Sequence, residues 1–200
     1  MKTVIFGGTF NPIHLGHLEI IENISKMDDI EKILVIPTGI PPHKECRDLA
    51  DNNARLEMCK IATSHLKNVV ISDIEINRSG KSYTVDTLKK IKKDNPASDI
   101  CLVCGGDMIT TFTQWYKYEE IIKNATIIAV RRVGVDTTEF ESAVSGLINM
   151  GARITVLKNK ITGISSTQIK ENINNKEFLY KYLPIGVCKY ILDNKLYCGE

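Results

Sequence analysis

At 200 residues, 43% hydrophobic and 25% charged, the chain has the composition of an ordinary globular protein with room for a sizeable core. A formal net charge of +2 argues against nucleic acid as the main partner. No stretch reaches the ~20 apolar residues of a membrane span, and Met1-Lys2-Thr3-Val4-Ile5-Phe6 meets glycines before a signal-peptide apolar region can form. A cytoplasmic protein with no membrane partner is expected.

Taken in chain order, Val4-Ile5-Phe6 reads as a buried strand that ends in Gly7-Gly8-Thr9-Phe10. A turn at Asn11-Pro12 follows, and His14-Leu15-Gly16-His17 opens a helix continued by Leu18, Ile21 and Ile24. Lys32-Ile33-Leu34-Val35-Ile36 is a second strand, residues 55–66 a helix, and Val69-Val70-Ile71 a third strand. Tyr83, Val85, Leu88 and Ile91 repeat at helical spacing, and Lys89-Lys90-Ile91-Lys92-Lys93-Asp94 gives that helix a solvated face. Further strands are expected at 100–103, 125–130 and 153–157, with a helix over 140–150. Beyond residue 164 the pattern changes to two helical stretches, 166–173 and 187–192, without a strand.

This alternation predicts a Rossmann-like α/β fold: a parallel sheet with helices on both faces and a small C-terminal helical extension. One domain is expected over 1–200, with a nucleotide-binding core to about 160 and a helical part over about 161–200. In such sheets ligands sit beyond the carboxyl ends of the strands, near the switch in strand order, so the loops after strands carry the functional question.

Six cysteines are scattered along the chain, and Cys101 and Cys104 form a C-x-x-C. On a strand, residues three apart point to opposite faces, so this pair cannot chelate one metal. No second pair completes a zinc site, and buried free thiols are the expectation.

The chemistry concentrates in two clusters. Gly7-Gly8 lets backbone approach a ligand, the helix start offers N–H groups to an anion, and His14 and His17 share the first helical turn. From there the two rings can donate to phosphate oxygens. The segment is neither a Walker loop nor G-x-G-x-x-G. Far along the chain, Gly163 precedes Ile164-Ser165-Ser166-Thr167-Gln168-Ile169-Lys170. Hydroxyl residues there can cap a helix; three of them with a cation one turn on make a phosphate cradle.

Residues 7–17 resemble the H-x-G-H signature of the nucleotidylyltransferase superfamily, and residues 164–170 resemble its I-S-S-T-x-I-R signature. Lys170 stands where that signature has Arg; it supplies charge but not a bidentate fork. Three further segments narrow the resemblance. Pro41-Pro42-His43-Lys44, Ser82-Tyr83-Thr84-Val85-Asp86-Thr87-Leu88, and Gly105-Gly106-Asp107 with the following Trp115 are similar, in the same order, to elements of the bacterial nicotinate-mononucleotide adenylyltransferases. The ending from Tyr182-Leu183-Pro184-Ile185 to Leu196-Tyr197 is similar too, so the resemblance spans nearly the whole chain. Asn11 stands where that family commonly has Asp, and a turn role is expected of it.

The resemblance implies joining of ATP and nicotinate mononucleotide to nicotinate adenine dinucleotide with release of pyrophosphate, a step in making NAD. It implies backbone donors from Gly8, Thr9, Phe10 and Gly16, with His14 and His17 at the α-phosphate and the leaving pyrophosphate. The β- and γ-phosphates fall to Ile164, Ser165, Ser166, Thr167 and Lys170, and the ribose to Gly105 and Asp107. For the acceptor it implies Lys44 on the phosphate, Trp115 stacked on the pyridine, and the Tyr83 and Thr84 amides on the carboxylate. A lone Trp also suits a core, so Trp115 carries both readings. Mg2+ is implied as a passenger of ATP, with no metal-ligand set of the chain's own. Within enzymes the rivals are nicotinamide-mononucleotide, phosphopantetheine or flavin adenylyltransferases and cytidylyltransferases. A nucleotide sensor without catalysis is the rival of a different class. A homo-oligomer is compatible with the sequence, which does not fix the number of copies.

Overall fold

Six strands form one sheet: Lys2–Gly8 (β1), Ile30–Pro37 (β2), Val69–Ile71 (β3), Asp99–Gly105 (β4), Thr126–Arg132 (β5) and Arg153–Ile161 (β6). The computed structural model describes residues 1–41, 48–132 and 136–198. The strands lie in the order β3-β2-β1-β4-β5-β6, every neighbouring pair parallel. The expected parallel α/β sheet is therefore the observed one. Central strands are buried on both faces, as in β1 from Thr3 to Phe6 and β4 from Ile100 onward, which explains their continuous apolar runs. Chain order reverses between β1 and β4, and that reversal opens a crevice beyond their carboxyl ends.

Among the described residues the helices are Leu15–Ser25 (α1), Asn52–Thr63 (α2), Thr84–Asp94 (α3), Gly106–Thr110 (α4), Tyr118–Asn124 (α5), Thr137–Asn149 (α6), Ser166–Glu171 (α7), Lys176–Tyr182 (α8) and Ile185–Asp193 (α9). One core layer joins Val4, Phe6, Ile33 and Val35 of the sheet to Ile20 and Ile24 of α1, Met58 of α2, and Leu179, Val187 and Ile191 of the C-terminal helices. The opposite layer joins Ile5, Ile36 and Leu102 to Val85, Leu88 and Ile91 of α3, Ile121 of α5 and Phe140 of α6. Helices thus cover both faces, and the C-terminal helices share a core with the strands. Cys101 belongs to the first layer and Cys104 to the second, so the C-x-x-C thiols do point apart. Both are free and buried, and burial pushes both thiols up in pKa.

Expected and observed helices differ in three respects, the first being that α4 and α5, between β4 and β5, are not among the expected helices at all. The second and sixth helices begin three residues earlier than expected, because Asp51 and Asp136 cap them by accepting two backbone N–H bonds each. The tail holds three helices rather than two, since α8 lies between the two helical patterns.

Candidate active site

The β1–α1 turn is set by its own side chains. Phe10 takes a left-handed φ of 46°, unusual for a bulky residue, and its ring is buried at 2% exposure. That ring packs edge-on against Phe6 at 5.4 Å and against His17 at 5.1 Å. His14 is the N-cap of α1, and its ring stacks on that of His17 with centroids 3.7 Å apart. The His14 backbone N–H donates to His17 Nδ1 at 3.3 Å. In the neutral imidazole this leaves the proton on Nε2, so His17 is held ready to donate from its far nitrogen. His14 is 1% exposed and backs the partly exposed His17. The two rings are therefore a stacked pair and not two equivalent surface groups.

The second cluster reaches the first. Ser166 Oγ donates to the Pro12 carbonyl at 2.9 Å, which places the start of α7 against the β1–α1 turn. Ser165 caps α7: its Oγ accepts from Gln168 N–H while its own N–H donates to Gln168 Oε1. The hydroxyl cluster thus divides its work. Ser165 caps, Ser166 ties, and Thr167 is exposed at the start of the helix, with Lys170 partly exposed one turn on. Ile164 is buried in the core beneath them. At Gly16 a Cβ would come within 2.9 Å of the Thr162 carbonyl, so only glycine lets α1 and the β6–α7 loop come this close.

Next along the crevice, Gly105 ends β4 and caps α4, where Asp107 is exposed in the first turn. A Cβ on Gly105 would lie 2.9 Å from Asp107 Oδ1, so the carboxylate folds back over bare backbone. Trp115 is half-buried and stacks on Phe112 with ring centroids 5.0 Å apart, giving it both a core contact and an exposed part. Its neighbour Tyr116 meets Tyr83 at 4.7 Å, which brings the Trp115 segment to the start of α3. Tyr83 makes no side-chain cap, and beside it the buried Ser82 Oγ has no hydrogen-bond partner among the described residues. The β2 loop joins the same place: Ser82 N–H donates to the Ile40 carbonyl at 3.0 Å. Lys44, expected on the acceptor phosphate, lies outside the described residues.

Sequence reasoning missed the groups that hold this crevice from behind. Arg55 is 0% exposed; its Nη1 donates to the Thr9 carbonyl at 2.9 Å and the Thr38 carbonyl at 2.7 Å, and its Nε to the Ala50 carbonyl at 3.2 Å. One guanidinium therefore fixes the loops after β1 and β2. The available signal was a cation on the apolar face of α2, in helical phase with Met58, Cys59 and Ala62. Burial pushes the Cys59 thiol up to about 12, against the pull of Arg55. Asn11 does more than turn the chain. Its Nδ2 donates to the Asp48 carbonyl at 3.0 Å, and its Oδ1 accepts from Ala50 N–H at 3.0 Å and Tyr197 Oη at 2.9 Å. An Asp would accept the last two bonds but could not make the first. Glu75 is buried against Thr87 of α3, whose hydroxyl donates to it at 2.8 Å, and burial raises its pKa despite that bond and nearby Arg78.

Among the described residues, no group of three or more His, Cys, Asp or Glu is placed to hold a metal ion, and no helix is long and apolar enough to cross a membrane.

A glycine-rich turn carrying two stacked histidines at the switch point, met by a distant hydroxyl-rich helix start, is the arrangement of a nucleotidyltransferase-type α/β fold. A model of the cytidylyltransferase-like family matches residues 5–172. A probable nicotinate-nucleotide adenylyltransferase of Listeria monocytogenes is 36% identical over 98% of this chain and 97% of its own. One from Fusobacterium nucleatum is 38% identical over 88% of this chain and 90% of its own. In fold, the chain resembles a Plasmodium falciparum nicotinic acid mononucleotide adenylyltransferase complexed with NaAD, with a TM-score of 0.82 at 22% identity and 98% of each chain covered. The chain belongs to the cytidylyltransferase-like family, and within it to the nicotinate-nucleotide adenylyltransferases.

Proposed function

We infer that the chain transfers the adenylyl group of ATP to nicotinate mononucleotide, giving nicotinate adenine dinucleotide and pyrophosphate for NAD synthesis in the cytoplasm. The observation that supports this reading is the Ser166–Pro12 hydrogen bond, which brings the start of α7 against the β1–α1 turn, the two segments that the reading assigns to the phosphates. A phosphate oxygen of the mononucleotide attacks the α-phosphorus. A new P–O bond forms as the bond to the bridging oxygen breaks, and pyrophosphate leaves with the electron pair. The attacking phosphate is already ionised at neutral pH, so no general base is needed; positioning and charge stabilisation carry the rate.

In this reading His17 Nε2–H donates to the α-phosphate and the departing pyrophosphate, and His14 holds the His17 ring from behind. Backbone N–H groups of Gly8, Thr9, Phe10 and Gly16 line the turn. Residues 164–167 and Lys170 receive the β- and γ-phosphates. Because the Ser166 hydroxyl already donates to Pro12, its contribution to phosphate is its backbone N–H. Gly105 and Asp107 receive the ribose. The start of α3, with no side-chain cap from Tyr83, receives the nicotinate carboxylate, where the helix dipole favours an anion. Trp115 offers a ring face to the pyridinium, and Lys44 the acceptor phosphate. Magnesium would arrive on the ATP phosphates and neutralise charge there; no step is assigned to it through the chain.

The test is pyrophosphate release with ATP and either nicotinate or nicotinamide mononucleotide. Faster release with nicotinate is expected; equal rates would remove the carboxylate role of the α3 start, and no release with either would overturn the activity.

A further inference from the structure

One clasp at the crevice involves residues with no role in the reading above. Thr162 directly follows β6 and stands three residues before the cap of α7. Its N–H donates to Glu19 Oε2 at 2.7 Å and its hydroxyl to Glu19 Oε1 at 2.6 Å, so both oxygens of one carboxylate grip one residue. Its carbonyl accepts from Ile164 N–H at 3.0 Å and lies against the bare Cα side of Gly16. Every polar group of Thr162 is thereby engaged, two of them by charge-assisted bonds. Glu19 sits on α1 two residues after His17, and the pairing joins residues 143 apart in sequence.

We propose that Glu19 is a positioning residue for the ATP triphosphate: its carboxylate fixes the β6–α7 loop on α1 and so sets the start of α7 relative to His17. The proposal rests on the adenylyltransferase reading. Two ties flank the loop, Glu19 to Thr162 before the cap and Ser166 to Pro12 after it. Neither alone determines a rigid placement, because each holds the loop at one residue and leaves it free to pivot about that residue. Two separated ties remove that freedom. A carboxylate suits the first tie because it accepts from both donors at once without supplying a hydrogen that must be placed.

The experiment compares Glu19→Ala, Glu19→Gln and Lys170→Ala in the full chain, measuring both KM values, kcat and thermal stability. For Glu19→Ala the KM for ATP should rise about 10-fold, the equivalent of one charge-assisted hydrogen bond, with the mononucleotide KM within about twofold of wild type. Glu19→Gln should restore the ATP KM to within about threefold. Its Oε1 can accept from Thr162 N–H while its Nε2 donates to the Thr162 hydroxyl oxygen, so the geometry returns without the charge. A purely structural role would lower the melting temperature and leave the two KM values in proportion; that result overturns the proposal. An unchanged ATP KM in Glu19→Ala beside a raised one in Lys170→Ala rejects the clasp and spares the phosphate cradle. If neither variant raises the ATP KM, the cradle reading fails and the proposal with it.

Discussion

The two halves of the crevice are built by different means. Around the β1–α1 turn, placement comes from partly buried hydrogen bonds that arrive from outside: Arg55 to the Thr9 carbonyl, Ala50 N–H and Tyr197 Oη to Asn11 Oδ1, and Ser166 to the Pro12 carbonyl. Around the start of α3, placement comes from ring contacts, Tyr83 on Tyr116 and Trp115 on Phe112, and from a helix end without a side-chain cap. Hydrogen bonds fix direction to a fraction of an ångström, which suits the in-line geometry of a reacting phosphate. Stacked rings tolerate sliding and suit a flat acceptor that must enter and leave. If the β1–α1 half binds ATP and the α3 half the acceptor, as we propose, the contrast teaches that the first should fail abruptly when its supports are cut and the second gradually.

The strongest test of that contrast is Arg55→Ala. It strips donors from the carbonyls of Thr9, Thr38 and Ala50 and leaves a cavity in α2's buried face. A destabilisation of roughly 3 kcal/mol or more is expected in urea unfolding. A loss below about 1 kcal/mol would mean the turn is held by other groups, and the contrast would collapse. If residues 1–200 form one domain, as we propose, that unfolding is a single cooperative transition in wild type and variant alike.

A paired substitution sharpens the comparison within catalysis. His17→Ala should lower kcat about 10²-fold, the scale of losing one preorganised donor to a developing charge. Trp115→Ala should raise the mononucleotide KM about 10-fold through lost stacking on a cationic ring, with the ATP KM nearly unchanged. Steady-state kinetics at varied ATP and varied mononucleotide separates the two. Equal rises in both KM values would assign Trp115 to the core through its Phe112 contact.

The same contrast explains what the sequence makes legible. Central strands buried on both faces, such as β1 and β4, leave continuous apolar runs, while the edge strands β3 and β6 are partly exposed, as at Val70 and Val156, and show only as short β-branched runs. Helices α4, α5 and α8 are five to seven residues long, too short to establish a 3.6-residue period. Motif residues such as His14, His17 and Ser166 announce themselves because their chemistry is local to a loop. Their supports do not. Arg55 finds Thr9 across 46 residues and Glu19 finds Thr162 across 143, and no periodicity encodes such a pairing. The signal that was present, a charge on an apolar helix face, names Arg55 as unusual but not its partners.

The smallest expected effect lies where the halves meet. Glu75 precedes α3, is buried, accepts from Thr87 of α3, and also bonds Thr38, whose carbonyl Arg55 holds. It therefore links α3 to the Arg55 support of the β1–α1 turn. Burial raises its pKa above the ordinary glutamate value, so over the interval between the two values the folded chain binds more of this proton than the unfolded chain. Stability from this group is then fully present below the unfolded value and falls as pH rises through the folded one. Glu75→Gln keeps an acceptor for Thr87 and removes the titration. Relative to wild type, the variant should gain stability as pH is raised through that interval and hold a constant difference below it, measured by urea unfolding at a series of pH values. A difference that runs the other way would show Glu75 stabilised as an anion by Arg78, and would make this junction an ionic tie instead of a buried acid.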